Sequence, residues 1–260
     1  CSRNDGRSER INGYYILIMA ERLQKLIATA GYGSRRWAER LIEQGRIEVN
    51  NKTAQIGDKC EITDKVKIDG RSIDLERYQE EETKVLILNK QAGVICSNKD
   101  DEGRKSVYSL LPKESRWVMV GRLDLNTSGL LLFTNNGDLA NKLMHPSSQI
   151  DREYAVRVLG QVESEDIQKL TTGIELEDGI AKFNRVTIGG GEGANRWYKV
   201  VLKEGRKREV RRLWESLGFK VSRLIRIRFG EIRLPENLKA NQYDYLKPGQ
   251  VKLLLNSVKL

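Results

Sequence analysis

Strand-like apolar runs recur through the second two-thirds of this 260-residue chain without regular alternation with helices. "KVLILNK" (84–90), "WVMV" (117–120), "LLLFT" (130–134), "REYAVRVLG" (152–160) and "VSRLIRIRFG" (221–230) read as strands, either as buried apolar runs or by period-two alternation. In the last of these, Ile225, Ile227 and Phe229 share one face and Leu224, Arg226 and Arg228 the other. "RVTIGGGEGANRWYKVVL" (185–202) reads as a hairpin; its Gly-rich tip resembles a phosphate loop only by composition, since no helix follows it. Between these runs lie helical patterns in "DLANKLMH", "EDIQKLTTG" and "KREVRRLWESLG", while 91–116 is mostly irregular. In the third helix Val210, Leu213, Trp214 and Leu217 point inward and Arg211 lies on the polar side. Without repeated βαβ units, the expected class is α+β, with a mixed, mainly antiparallel sheet.

A different module precedes this domain. In "AERLQKLIATAG", Leu23, Leu26, Ile27 and Ala30 share a helical face. Ser34 is placed to cap "SRRWAERLIEQG", whose Trp37, Ala38, Leu41 and Ile42 face inward and whose Arg35, Arg36 and Arg40 face outward. A strand pattern turning at Asn50-Asn51 follows. Residues 1–18, polar and aperiodic, are expected to be a disordered tail or a mis-assigned start before Met19. The charged stretch 69–83, ending in Glu80-Glu81-Glu82, is expected to be the linker. The expected divisions are thus 1–18, a module over 19–79 and a larger domain over 80–253.

Charge narrows the partner. The chain carries +10 overall, and residues 196–233 hold thirteen Lys/Arg against four acids, nearly the whole excess. Such a stripe is the footprint of a polyanion partner, weighed against a merely solvated basic face. No apolar run approaches the ~20 residues of a membrane span. "YYILIM" falls short of the about 7–15 residues of a signal-peptide core. Three scattered cysteines, Cys1, Cys60 and Cys96, with no CxxC spacing, point to a reducing compartment. With a single histidine, His145, neither a zinc site nor a Ser-His-Asp triad is supported.

Three residues are candidates for chemistry. Asp124 sits in "GRLDLNTSG" between two apolar strands, so its backbone is held from both sides. It either acts as a carboxylate placed for reaction, which needs a nearby cation to stay ionised, or makes a local Asx-turn. Tyr154 is either a core aromatic or a stacking platform for a base, a contact worth about 1–3 kcal/mol. Arg211 either belongs to a phosphate-neutralising cluster with Arg206, Lys207, Arg208 and Arg212 or pairs with Glu215 one turn on.

Taken in order, "GRLDLNTSGLLLFTNNGDLANKLMHP", "REYAVRV", "EGRKREVRRLWESLG" and "LIRIRFG" resemble the bacterial ribosomal RNA pseudouridine synthases of the small-subunit synthase A branch. The resemblance spans about 19–253. Within the branch the chain looks most like members acting on large-subunit RNA. The N-terminal module resembles the small helix-hairpin RNA-binding domain, of the alpha-L type, of a small-subunit ribosomal protein. The resemblance implies an isomerase that turns uridine into pseudouridine, with no cofactor and no metal. It implies that Asp124 is the essential carboxylate, that Tyr154 stacks on the target base, and that Arg211 pairs with Asp124. Leu224 would pack against the site with Arg226 beside it. Arg122 and Arg208, with Arg35, Arg36 and Arg40 of the module, would contact RNA. The implied partner is ribosomal RNA, large-subunit by the branch likeness, or a pre-ribosomal particle; a monomer is the default expectation, and the cysteine usage suits the cytoplasm. One departure stands out: where the family reads Lys-Pro-x-Gly, this chain has Lys90-Gln91-Ala92-Gly93, which frees a φ angle and restores an N–H.

Two other readings compete. A non-catalytic RNA-binding assembly factor needs only the basic stripe and the module, but has no use for a pinned carboxylate. A carboxylate-dependent glycosidase or nuclease lacks a second acid near Asp124 in sequence, Asp138 and Asp151 being the nearest.

Overall fold

A computed structural model describes residues 7–11, 14–18, 20–76, 82–97, 102–191 and 195–260. The chain divides into two compact units, Cys1–Glu82 and Thr83–Leu260. Within the stretch read as a tail, β1 (Arg7–Ile11) and β2 (Tyr14–Ile18) pair antiparallel.

In the first unit, β3 (Glu21–Arg22) leads into α1 (Leu23–Thr29), followed by α2 (Arg35–Glu43). The Ser34 hydroxyl accepts the Trp37 N–H at 3.1 Å, so the expected cap forms. Leu23, Leu26 and Ile27 of α1 meet Ala38, Leu41 and Ile42 of α2, and both sets join Ile47, Cys60, Val66 and Leu75 in one core. β4 (Ile47–Val49) and β5 (Lys52–Thr53) form the expected hairpin. Asn50 and Asn51 both take positive φ, as a type I′ turn requires. β6 (Lys59–Cys60) pairs with β3. β7 (Val66–Ile68) pairs with β4 and with β8 (Arg71–Ile73), giving the order β5-β4-β7-β8. The linker expectation over 69–83 is therefore corrected in its first half: 71–73 is a strand, and Leu75 is buried in the module's core. Both the ladder hydrogen bonds and one apolar side chain outweigh the polar composition of that stretch.

The second unit is built on one sheet: β9 (Val85–Lys90), β10 (Val118–Val120), β11 (Ser128–Thr134), β12 (Arg152–Leu159), β15 (Arg185–Ile188), β16 (Asn195–Leu202), β17 (Lys220–Phe229), β18 (Ile232–Arg233) and β19 (Tyr243–Tyr245). A separate hairpin, β13 (Ile174–Leu176) with β14 (Gly179–Ala181), sits apart from it. The order runs β15-β16-β12-β17-β11-β9-β19, with β10 on β11 and β18 on β17. Only the β11–β17 pairing is parallel, so the sheet is mixed and mainly antiparallel. The fold class is α+β.

Helices cover both faces. α3 (Gly137–Met144), started by Asn136 accepting two N–H groups, packs with α6 (Pro248–Ser257) on one face. α4 (Ser164–Thr172) and α5 (Glu209–Glu215) pack on the other. This explains the unbroken apolar run of β11: Leu130 and Leu132 enter the first core, Leu131 and Phe133 the second. The alternation expected along β17 holds from Leu224 to Ile227 and breaks before Phe229. Register shifts against β12 fall between Glu153 and Tyr154 and between Arg157 and Val158. They leave Leu224, Arg226 and Phe229 buried while Ile225 and Ile227 are only half-buried. No helix among the described residues is long and apolar enough to cross a membrane.

Candidate active site

The loop between β10 and β11 carries Asp124, and its backbone is held by two buried cations. Lys90, fully buried at the end of β9, points its ammonium at four carbonyls: Gln91 at 3.1 Å, Asp124 at 3.2 Å, Leu125 at 3.3 Å and Thr127 at 2.8 Å. Arg211 on α5 donates to the Asn126 carbonyl at 2.9 Å and the Val221 carbonyl at 2.8 Å. Every carbonyl from residue 124 to 127 is thereby engaged by a cation. The Gly93 N–H also reaches Leu125 at 2.8 Å, and the Leu123 N–H lies 3.5 Å from the Cys96 sulfur. Gly129, at φ +101°, lets β11 approach β17, since a Cβ there would overlap the Arg226 carbonyl.

The carboxylate itself is left free. Asp124 is half-buried, and its side chain makes no hydrogen bond or ion pair among the described residues. It faces a cleft of about 840 Å³. Tyr154, Leu224 and Arg226 line this cleft with Arg122 and Arg208 at its rim. Tyr154 is at once a core aromatic and a cleft wall: it is 8% exposed and packs with Val156 and Leu224 in the core.

The structure differs from expectation at the basic residues. Arg211 is buried rather than on the polar side, and it holds the Asp124 loop through carbonyls, not through the carboxylate or Glu215. Burial lowers its pKa, Arg208 adds to that, and the Glu215 and Asp124 charges oppose it. Glu215 is taken by Arg208 at 3.0 Å. Arg208 itself sits outside the helix as its N-cap, at φ +53°, so α5 begins two residues later than the sequence pattern. Arg212 grips Asp178 with both nitrogens, at 2.7 and 2.8 Å. Arg206 holds Glu204 and three carbonyls of 178–180, tying the β13–β14 hairpin to the start of α5. Arg228 pairs with Glu153 at 2.7 Å and Asp151 at 3.3 Å. Much of the basic stripe is therefore scaffolding. Lys203 and Lys207 line the cleft without an ion pair among the described residues. Arg35, Arg36 and Arg40 belong to the first unit, exposed on α2.

Lys90 is the residue that local sequence reading underrates. A lysine closing an apolar strand looks like an ordinary snorkelling end, and only the facing loop reveals its role. Burial lowers its pKa, while Cys96 and Asp124 act against that shift. Gln91, where the resembled family has Pro, uses its N–H: it donates to the Asn241 side chain at 3.2 Å, and Asn241 returns a bond to Gln91 Oε1 at 2.7 Å. Two further acids reach the cleft from far along the chain, Glu204, paired with Arg206, and Glu209. Glu209 is buried, accepts the Arg206 N–H at 3.0 Å, and burial raises its pKa. No group of three or more His, Cys, Asp or Glu among the described residues could hold a metal ion.

Residues 84–216 match the family model described as RNA pseudouridylate synthase, and 21–66 the one described as S4 domain. The Ribosomal large subunit pseudouridine synthase B of Yersinia pestis is 53% identical over 246 residues, covering 93% of this chain and 77% of its own length. The protein of that name from Escherichia coli (strain K12) is 50% identical over 246 residues, covering 93% and 84%. A solved structure described as the crystal structure of pseudouridylate synthase superposes with TM-score 0.63 at 25% identity, covering 90% of this chain and 99% of that one.

Proposed function

This chain belongs to the RNA pseudouridylate synthase family, and on that premise we propose that it converts uridine to pseudouridine in large-subunit ribosomal RNA, with Asp124 as the reacting carboxylate. The reaction is an isomerisation. The bond from the sugar to N1 breaks, the uracil turns, and a bond to C5 forms; the C5 hydrogen leaves to solvent and N1 takes one up. No atom is gained or lost overall.

The observation that carries the reading is the cage beneath the Asp124 loop. Lys90 and Arg211 occupy its backbone carbonyls and leave the carboxylate free to meet a ligand. Such anchoring suits a group whose misplacement by about 1 Å can cost a hundredfold in rate. Tyr154, across the same cleft, offers its ring to a uracil taken out of its stack, a step that costs a few kcal/mol. Leu224 supplies an apolar wall, and Arg122, Lys203 and Lys207 supply positive charge at the rim. Arg211 acts through the loop, by holding Asn126. The S4-like module adds Arg35, Arg36 and Arg40 as phosphate contacts, making binding strongly salt-dependent. The enzyme works as a monomer in the cytoplasm, on free RNA or a pre-ribosomal particle.

Tritium release from RNA carrying uridine tritiated at C5 tests this, with large- and small-subunit RNA offered separately. Release from large-subunit RNA alone is expected. Release from small-subunit RNA alone would overturn the substrate assignment, and binding to both without release would favour a non-catalytic assembly role.

A further inference from the structure

Besides the exposed Arg122, the cleft holds two guanidinium groups that form no ion pair among the described residues. Arg226 is 2% exposed; its Nε donates to the Leu130 carbonyl at 2.7 Å, and its Nη2 is buried with no hydrogen-bond partner. Arg152, at the start of β12, donates from Nη1 to the carbonyls of Ile150 and Lys203. Both side chains line the cleft that Asp124 faces. Both guanidiniums lie over the Phe229 ring, their carbons 5.2 and 5.4 Å from its centroid. The sheet register sets Arg152 opposite Phe229 and Tyr154 opposite Arg226.

Apart from Asp124, whose carboxylate pairs with neither arginine, the nearby acids are engaged elsewhere. Glu153 and Asp151 pair with Arg228. Glu209 attracts Arg152, but its carboxylate accepts the Arg206 N–H. Burial lowers the pKa of Arg152, Tyr154 and Glu209 oppose that, and the Arg226 charge adds to it. Two desolvated like charges repel, and an anion placed between their free donors relieves that repulsion. The guanidinium fork fits phosphate oxygens in particular.

We propose that Arg152 and Arg226 form, above the Phe229 ring, a subsite for a single RNA backbone phosphate flanking the target uridine. The choice of linkage rests on the synthase reading; the anion site itself does not. Arg152 and Tyr154 are two residues apart on one strand face, about 6.6 Å, a span that one nucleotide covers from its base to its phosphate. A base against Tyr154 thus brings its own phosphate to the guanidinium pair.

Two measurements test this. Inorganic phosphate is titrated against thermal unfolding, with chloride at matched ionic strength as the reference. The wild-type midpoint rises with phosphate beyond the chloride reference, Arg152→Gln loses that increment, and Arg152→Lys keeps part of it. Equal increments in wild type and Arg152→Gln overturn the site. In the second measurement, RNA carries one uncharged methylphosphonate linkage, 5′ or 3′ of the uridine that wild type converts. One of the two linkages weakens wild-type binding about tenfold, the size of one charge-assisted contact. Arg152→Gln shows that same loss with native RNA and no further loss with the modified one. Losses that multiply at both linkages refute the phosphate contact. A wild type that gives no pseudouridine while keeping its phosphate increment sinks the synthase reading and leaves the anion site standing.

Discussion

Replacing Lys90 by Met keeps the length of the side chain and removes its charge. The ammonium now serves four carbonyls between 2.8 and 3.3 Å, three of them in the Asp124 loop. Hydrogen bonds to a charged group contribute about 1.5–3 kcal/mol each, and they do not add when one group makes them all. Removing the cation also strands buried acceptors, and a buried acceptor left unsatisfied costs about 1–3 kcal/mol. A loss of that size is a large part of the about 5–15 kcal/mol that holds a domain together. The Gly93 N–H and Arg211 still hold Leu125 and Asn126, so the loop shifts rather than unravels. A shift near 1 Å at Asp124 lowers the rate about a hundredfold. Urea unfolding gives the stability, and single-turnover tritium release at saturating enzyme gives the rate. Lys90→Met within about 1 kcal/mol of wild type and with an unchanged single-turnover rate would show that the carbonyl cage does not position the carboxylate.

Arg211→Lys gives up the paired reach to Asn126 and Val221, so the single-turnover rate drops more than RNA affinity does; a fall in affinity alone would move Arg211 to RNA binding. Gly129→Ala forces a Cβ into the Arg226 backbone at a positive φ, and by the scale of overpacking it costs about 1–3 kcal/mol or more in urea unfolding; a neutral result would contradict the close β11–β17 approach. Glu209 holds its proton to higher pH in the folded state than in the unfolded chain, because burial disfavours its charge. Its contribution to stability therefore falls as pH rises from the ordinary carboxylate value through its raised folded value. Glu209→Gln keeps an acceptor for the Arg206 N–H and is expected to gain stability at neutral pH and flatten that slope; a loss at neutral pH with the slope intact would place the burial cost elsewhere.

Local patterns disclosed what depends on local rules. The Ser34 cap, the Asn50-Asn51 turn and the doubly buried "LLLFT" strand all follow from neighbours in sequence, and each appears in the structure. Asp124 stood out for the same reason, lying between two apolar strands. What pairing decides was hidden. The fates of Arg212 and Arg228 depend on acids, and those of Arg211 and Arg226 on carbonyls, that folding brings from far along the chain, so a stripe that reads as one phosphate-binding surface is in good part scaffolding. Lys90 and Arg152 carry no local signal, because the groups that give them meaning lie across the fold or in no residue at all. The strand at 71–73 was masked by charge, since edge strands of small modules tolerate polar side chains that still satisfy the ladder.

The central claim is that Asp124 is the reacting group and that the rest of the cleft places it. It is tested most directly by Asp124→Asn, with tritium release and RNA affinity measured on the same preparation. Asn keeps the shape and leaves the backbone cage intact. Release that falls below detection while affinity stays within a few-fold of wild type is the predicted result. Release from the Asn variant at a rate near wild type would contradict the account, because no carboxylate at position 124 would then be needed.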